Sequence, residues 1–250
     1  MALEAAVLRA AGAVGVPVAA VVANGDDWMV VEHLEGETIA RRILRDEAYA
    51  AARSRLASEC GRALAGIHAI DPAAVTGLLE VDQRAEYRQI LDLLGDPHPA
   101  FELGFRWLDA HRPASDPERS TVVHGDFRLG NLIVGPEGLV AVIDWELAHL
   151  GDPLEDLAWL CVKSWRFGAG PRVGGFGEVD ELVAAYEAAS GRTVDRDALA
   201  WWETFGTLKW GIICIMQASA HLTGATRSVE LAAIGRRVCE VEHDLLLLLP

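Results

Sequence analysis

Between Val122 and Glu146 two apolar runs flank a polar loop, and a third run ends at an acid. The stretch reads Val122-Val123-His124-Gly125-Asp126-Phe127-Arg128-Leu129-Gly130-Asn131-Leu132-Ile133-Val134, then Val140-Ala141-Val142-Ile143-Asp144-Trp145-Glu146. Apolar runs of this length predict short buried strands. They place Asp126, Asn131 and Asp144 at loop edges beside packed strands, where polar groups are held in fixed geometry. An Asp, an Asn five positions on and a second Asp after one more strand form an arrangement suited to phosphoryl transfer. Asp126 would accept the proton of an attacking hydroxyl. Asn131 and Asp144 would offer hard oxygen ligands to Mg2+, and no soft ligand interrupts the set.

The remaining composition narrows the class. In 250 residues, 51% are hydrophobic and 24% charged, which predicts a globular chain with a sizeable core. The net charge is −15, and lysine occurs only at Lys163 and Lys209. Nucleic acid is not an expected partner, because phosphate-backbone binding needs clustered Lys and Arg. Cys60, Cys161, Cys214 and Cys239 form no CxxC pair, so a zinc site is not expected. Most of them sit among apolar residues and read as buried thiols of a reducing, cytoplasmic compartment. Glu4 and Arg9 interrupt the first helical stretch, so a signal peptide is not expected. Residues 198–222 are very apolar, but Glu203 and Lys209 break them, which predicts a buried core helix and no membrane span.

Taken in order, residues 2–14 predict a helix with Leu3, Val7, Leu8 and Ala11 on one face, closed by Gly12, Gly15 and Pro17. Val18–Val22 and Trp28–Val31 predict a hairpin around Asn24-Gly25. Glu32–Gly36 is a polar connector, and helices are expected over 37–44, 46–69, 81–94 and 99–111. Pro113–Arg119 is a polar loop. Asp152-Pro153-Leu154-Glu155 has the order of a helix start, with Asp at the N-cap, Pro at N1 and Glu at N3. Arg166–Gly177 holds five glycines and predicts a long flexible loop. Further helices are expected over 178–190, 195–222 and 226–248, with Trp201, Trp202, Phe205 and Trp210 lining the core or an acceptor pocket.

His124-Gly125-Asp126 with Asn131 and Ile143-Asp144-Trp145-Glu146 resembles the aminoglycoside phosphotransferase family, small-molecule kinases of protein-kinase-like fold. Gly151-Asp152-Pro153-Leu154-Glu155-Asp156-Leu157-Ala158 is similar to the branch associated with acyl-CoA dehydrogenases. The resemblance implies an α+β protein-kinase-like fold. Residues 1–34 would be the remnant of a nucleotide-binding N-terminal lobe with its hinge, and residues 35–250 a mostly helical catalytic and substrate lobe. It implies ATP and Mg2+ as cofactors and a small-molecule hydroxyl acceptor, without membrane or nucleic-acid partners.

Glu4 matches the helix glutamate that pairs with a phosphate-holding lysine, or is a solvated helix residue. The hinge at Val31, Glu32, His33 and Leu34 would offer backbone groups to adenine. Arg128 stands where protein kinases place a lysine that neutralises the transferring phosphate, or makes a structural salt bridge. Glu146 would be structural or would reach a metal-bound water. His68 and His124 are expected to be structural hydrogen-bonding histidines, Gly125 and Gly130 to permit unusual backbone angles, and Asp156 to scaffold the catalytic loop.

The chain departs from the family pattern, since no GxGxxG and no lysine precede Lys163. A late start, a shortened chain or a degenerate relative would each account for this, and a shortened chain is the expectation. The rival function is a catalytically inactive, pseudokinase-like binding module. A metal-dependent hydrolase lacks suitably spaced histidines. The exposed edge of the N-terminal hairpin is expected to support a homodimer.

Overall fold

The computed structural model describes residues 1–114 and 120–249; most of the expected loop Pro113–Arg119 lies outside the described residues. The elements run α1 (Ala2–Ala13), β1 (Val21–Asn24), β2 (Met29–Val31), α2 (Ala40–Arg45), α3 (Ala50–Ile67), α4 (Gln83–Leu94), α5 (Pro99–Ala110) and β3 (Thr121–Val123), then β4 (Leu132–Gly135), β5 (Gly138–Val142), β6 (His149–Gly151), α6 (Leu154–Cys161), α7 (Val179–Ser190), α8 (Arg196–Leu222), α9 (Val229–Gly235) and α10 (Val238–Leu248). This is an α+β chain. No described helix is long and apolar enough to cross a membrane. Packing divides it into two compact units.

The first unit comprises Met1–Glu80 and the described part of Ser115–Leu199. Helix α1 buries Ala5, Val7, Leu8 and Ala11, the spacing of a single helical face. Strands β1 and β2 pair antiparallel around a turn in which Gly25 N–H donates to the Trp28 carbonyl at 2.9 Å. Strand β1 starts later than expected. Just before it, the Pro17 carbonyl accepts from Val142 N–H at 2.8 Å and so belongs to the β4–β5 hairpin. Helix α2 also starts late, because Glu37 exchanges two backbone hydrogen bonds with Val134, at 2.9 and 3.0 Å, and is extended. The helix expected over 46–69 begins with a 3-10 turn, Glu47–Tyr49, before α3. Asp46 is extended, with ψ 137°, and Arg53 caps the Ile43 and Asp46 carbonyls, both at 2.8 Å.

Helices α3 and α7 pack in close contact. A Cβ on Gly61 would lie 2.5 Å from the Leu182 carbonyl oxygen and 2.9 Å from the Tyr186 nitrogen, so the two backbones touch where only glycine fits. In the glycine-rich stretch before α7, residues 173–177 are packed inside the unit and not exposed as a loop. Val173, Gly174, Gly175, Phe176 and Gly177 are buried. Val173 N–H donates to the Gly177 carbonyl, and Gly174 N–H to the Leu160 carbonyl, at 2.9 and 3.0 Å. The glycines allow a tight, hydrogen-bonded knot to pack inside the unit.

The second unit comprises Val81–Ala114 and the described part of Ala200–Pro250. Helix α5 meets the C-terminal part of α8 and α10 at glycines: a Cβ on Gly211 would lie 2.4 Å from Phe101 Cζ, and one on Gly104 2.9 Å from side chains of Leu208 and Leu245. Trp201 donates its indole N–H to the Leu108 carbonyl at 2.9 Å and stacks on Phe205. The single helix expected over 226–248 is two, α9 and α10. Gly235 packs so closely that its Cβ would lie 2.5 Å from Ala218 Cβ, and the chain turns at Arg236 and Arg237.

Candidate active site

Two antiparallel ladders frame the site. Strand β3 pairs with β6, setting Val123 beside His149. Strand β4 pairs with β5, setting Leu132 beside Val142. The segment 124–131 leaves β3 and enters β4; the segment 143–148 leaves β5 and enters β6. The two segments touch at Gly125, whose φ is +82° and whose Cβ would meet the Leu147 carbonyl oxygen at 2.4 Å. A side chain there would be excluded twice, by angle and by space.

At the centre lies Asp126, its side chain 15% exposed. Oδ1 accepts from the Trp159 indole N–H at 2.7 Å and from Arg128 Nε at 3.1 Å. Oδ2 accepts from Asn131 Nδ2 at 2.7 Å and from Arg128 Nε at 3.0 Å. A carboxylate only accepts, so Asn131 must turn its amide NH2 towards Asp126. Its Oδ1 therefore faces away, and accepts no hydrogen bond from the described residues. The Arg128 guanidinium also lies 5.1 Å from the centroid of the Trp165 ring. Gly130 leaves space for it: a Cβ there would lie 2.4 Å from Arg128 Nη1. The expected role of Gly130, an unusual angle, is thus replaced by room for a neighbour, since its φ is not positive.

The loop is fixed from below by Asp156. The N–H groups of His124 and Gly125 donate to its two carboxylate oxygens at 2.7 and 2.9 Å. His68 Nε2 lies 3.2 Å from Oδ2, and His68 Nδ1 lies 3.0 Å from the Tyr186 hydroxyl. All three side chains are buried. Burial pushes the Asp156 carboxyl up, but the hydrogen bond and charge of His68, with His124 and its N–H, outweigh it and hold the group below the ordinary carboxylate value. Asp156 is the scaffold expected of it.

His124 is also structural. Its Nδ1 accepts from Asp126 N–H at 3.2 Å, so Nε2 carries the proton and donates to the Ile143 carbonyl at 3.0 Å. Burial, opposed by Asp156 and Asp126, lowers its pKa and favours this neutral tautomer.

Below β6, His149 Nε2 meets Glu155 at 3.3 Å. Burial works against the charged ring, yet Glu155 and the Leu147 carbonyl raise the pKa of His149 above its usual value. At the start of α6, the Asp152 carboxylate accepts from Leu154 N–H at 2.9 Å, as expected of an Asp that caps the helix.

Asp144 lies beyond β5 with φ +68°, a left-handed conformation uncommon outside glycine and best tolerated by Asp and Asn. It is joined to the cluster through its neighbour: Ile143 N–H donates to the Asn131 carbonyl at 3.0 Å. Asp144 and Glu146 are exposed and make no hydrogen bond or ion pair with the described residues. Glu4 is half-buried in the first turn of α1, and Val31, Glu32 and His33 are exposed, with Leu34 half-buried. No hydrogen bond among the described residues joins Glu4, Val31, Glu32, His33 or Leu34 to Asp126. Glu32 N–H instead donates to the Ala20 carbonyl at 2.8 Å. Among the described residues no group of three or more His, Cys, Asp or Glu could hold a metal.

Sequence reasoning missed Trp159. The available signal was its place three residues after Asp156 in α6, which puts both on one helix face.

Comparisons with known proteins agree with this geometry. Residues 1–202 match the family model described as phosphotransferase enzyme family. Mouse acyl-CoA dehydrogenase family member 11 is 31% identical over 150 residues, which are 54% of this chain and 18% of that protein. The chain spans less than a fifth of the length of the curated relatives it matches. Among solved structures, a Ralstonia eutropha protein provisionally assigned to the aminoglycoside phosphotransferases superposes with a TM-score of 0.80 at 22% identity, covering 98% of this chain and 82% of its own. A spectinomycin phosphotransferase, solved with ADP and spectinomycin, superposes with a TM-score of 0.63 at 13% identity, covering 99% and 82%. The fold is that of the protein-kinase-like phosphotransferases, and the chain belongs to the phosphotransferase enzyme family.

Proposed function

We propose that the chain is a small-molecule kinase that transfers the γ-phosphoryl group of ATP to a hydroxyl, with Mg2+. The observation that carries this reading is Asp126, a part-exposed carboxylate held by three side chains on a loop whose backbone is tied to Asp156. Asp126 orients the acceptor hydroxyl and takes its proton as the hydroxyl oxygen bonds to the γ-phosphorus. The bond from that phosphorus to the bridging oxygen breaks, and ADP leaves with the electron pair. Positioning and charge neutralisation supply most of the rate, because this transition state needs little covalent help.

Asn131 and Asp144 fit a magnesium site. Both offer hard oxygens, and the amide oxygen of Asn131 is left over by its bond to Asp126. One carboxylate and one amide suffice, since Mg2+ commonly completes its shell with water and phosphate oxygens. Bound there, Mg2+ would neutralise charge on the nucleotide's phosphates. Arg128 binds Asp126 only through Nε, so its Nη groups can meet the transferred phosphoryl group. Glu4 would pair with a phosphate-holding lysine, and the backbone of Val31, Glu32, His33 and Leu34 would receive adenine. The ADP bound by the spectinomycin enzyme supports the nucleotide, and the family supports a small hydroxylated acceptor. The reading includes self-association as a homodimer through the exposed edge of β1–β2.

ADP release and acceptor phosphorylation, measured with Mg-ATP and a panel of small alcohols, test the reading. Asp126→Asn is nearly isosteric but cannot take the proton, and should lower turnover about 10²–10⁴-fold with the fold retained. Turnover near wild type in that variant removes Asp126 from the mechanism. Mg-ATP binding without turnover at any acceptor would favour the inactive binding module.

A further inference from the structure

We infer that Trp159 is a positioning residue for Asp126, its indole N–H fixing the plane of the carboxylate that faces the acceptor hydroxyl; the inference rests on the kinase reading. Three donors hold that carboxylate. Asn131 reaches Oδ2 and Trp159 reaches Oδ1, each at 2.7 Å, while Arg128 Nε is shared between the two oxygens at 3.0 and 3.1 Å. The two short bonds pull on opposite oxygens. Together they fix the rotation of the carboxylate about its Cβ–Cγ bond, which one donor alone could not do. The shared Arg128 contact is longer, and the Arg128 side chain is part-exposed at 26%, so this is the donor that can yield to an incoming hydroxyl. Trp159 cannot yield in that way. It is 4% exposed and packs against the Trp165 ring at 5.2 Å between centroids.

Helix α6 makes the coupling stiff. Asp156 and Trp159 stand on one face of it, three residues apart. The first holds the loop through the N–H groups of His124 and Gly125, and the second holds the side chain of the next residue, Asp126. Backbone and carboxylate of the base are therefore referred to the same short helix. An aromatic ring without N–H would fill the space but leave the carboxylate free to turn.

Trp159→Phe tests this by two readouts. In the full chain, turnover of Mg-ATP with water as acceptor should fall about tenfold, the rate cost of losing roughly one hydrogen bond's worth of transition-state placement. The KM for Mg-ATP should stay within about twofold, because Asn131 and Asp144 are untouched. A merely structural role would loosen the whole site and raise KM as well, and that result overturns the inference.

The second readout needs no activity. The indole 1H–15N cross-peak of Trp159, identified by its loss in Trp159→Phe or by selective labelling should that variant fail to fold, is expected downfield, as for a donor to a carboxylate. It should move upfield in Asp126→Asn. A cross-peak that ignores Asp126→Asn overturns the contact. If wild type shows the contact but turns over Mg-ATP neither with water nor with any alcohol of the panel, the kinase reading fails and, with it, the positioning role; if turnover is present and the contact absent, only the role of Trp159 fails.

Discussion

Asp126 and Asp144 are both acids at strand ends, yet their surroundings differ. Asp126 is surrounded by N–H donors, whereas Asp144 is exposed and carries an unusual backbone angle, φ +68°. Such conformations concentrate at functional sites, where neighbouring packing holds them in place. Here the hold is the hydrogen bond from Ile143 N–H to the Asn131 carbonyl, which keeps the two proposed ligands at the same end of the β4–β5 hairpin. Their substitutions should differ in severity. Asp144→Ala removes the charged ligand and should abolish magnesium-dependent ATP binding, while Asn131→Ala removes a neutral one and should weaken it less. Calorimetric titration of both variants with Mg-ATP gives the order; equal affinities for wild type and Asp144→Ala would sink the assignment. The placement of Asp126, Asn131 and Asp144 at strand ends was legible because the apolar runs around them carry it. The contact made by Trp159 was not, since an indole in an apolar helix looks the same whether its N–H meets a carboxylate or a carbonyl.

The elements behind the site form a relay of contacts from α7 to the loop. Tyr186 on α7 meets His68 just after α3, His68 meets Asp156 on α6, and Asp156 holds the loop backbone. The relay depends on α3 and α7 touching at Gly61. A methyl group at that position would stand 2.5 Å from a backbone oxygen and 3.0 Å from Ala185 Cβ, neither of which is the free end of a flexible side chain. Gly61→Ala should therefore push α7 away and destabilise the chain by about 1–3 kcal/mol, the usual cost of overpacking, despite the gain in helix propensity. Denaturant unfolding measures it; a variant as stable as wild type would mean that α7 shifts freely and that the relay is loose.

Periodicity gave α3 and α7 their helical identity in advance but not their closeness, because nothing in a run such as Ala63-Leu64-Ala65 says which glycine faces which partner. The same limit explains the glycine-rich segment before α7. Its composition suggested freedom, while its buried, cross-bonded backbone uses glycine for space at Gly177 and for positive φ at Gly174 and Gly175.

At the scale of the whole molecule, the kinase-like fold was legible because its identity is concentrated in residues 122–158. The second packing unit was not, because it assembles residues 81–114 with 200–250, two segments far apart in sequence whose apolar faces match only in three dimensions. One property belongs to the molecule as a whole and bears on association. The net charge is −15, so two copies repel at long range. Against that, hairpin β1–β2 shows Val22, Trp28 and Val30 at 70%, 51% and 50% exposure. A two-stranded hairpin with open edges and exposed apolar side chains is a template for pairing. The balance between the two depends on salt, since at 0.15 M charges more than about 8 Å apart are largely screened while apolar contact is not. Self-association should therefore strengthen as ionic strength rises from about 0.01 to 0.15 M. Trp28→Lys replaces an exposed apolar side chain of the hairpin with a charge and should suppress it at every salt concentration. Sedimentation velocity across that range, for wild type and variant, reads the outcome directly. A chain that stays monomeric throughout, or a variant that associates as wild type does, would rule out the hairpin as the contact.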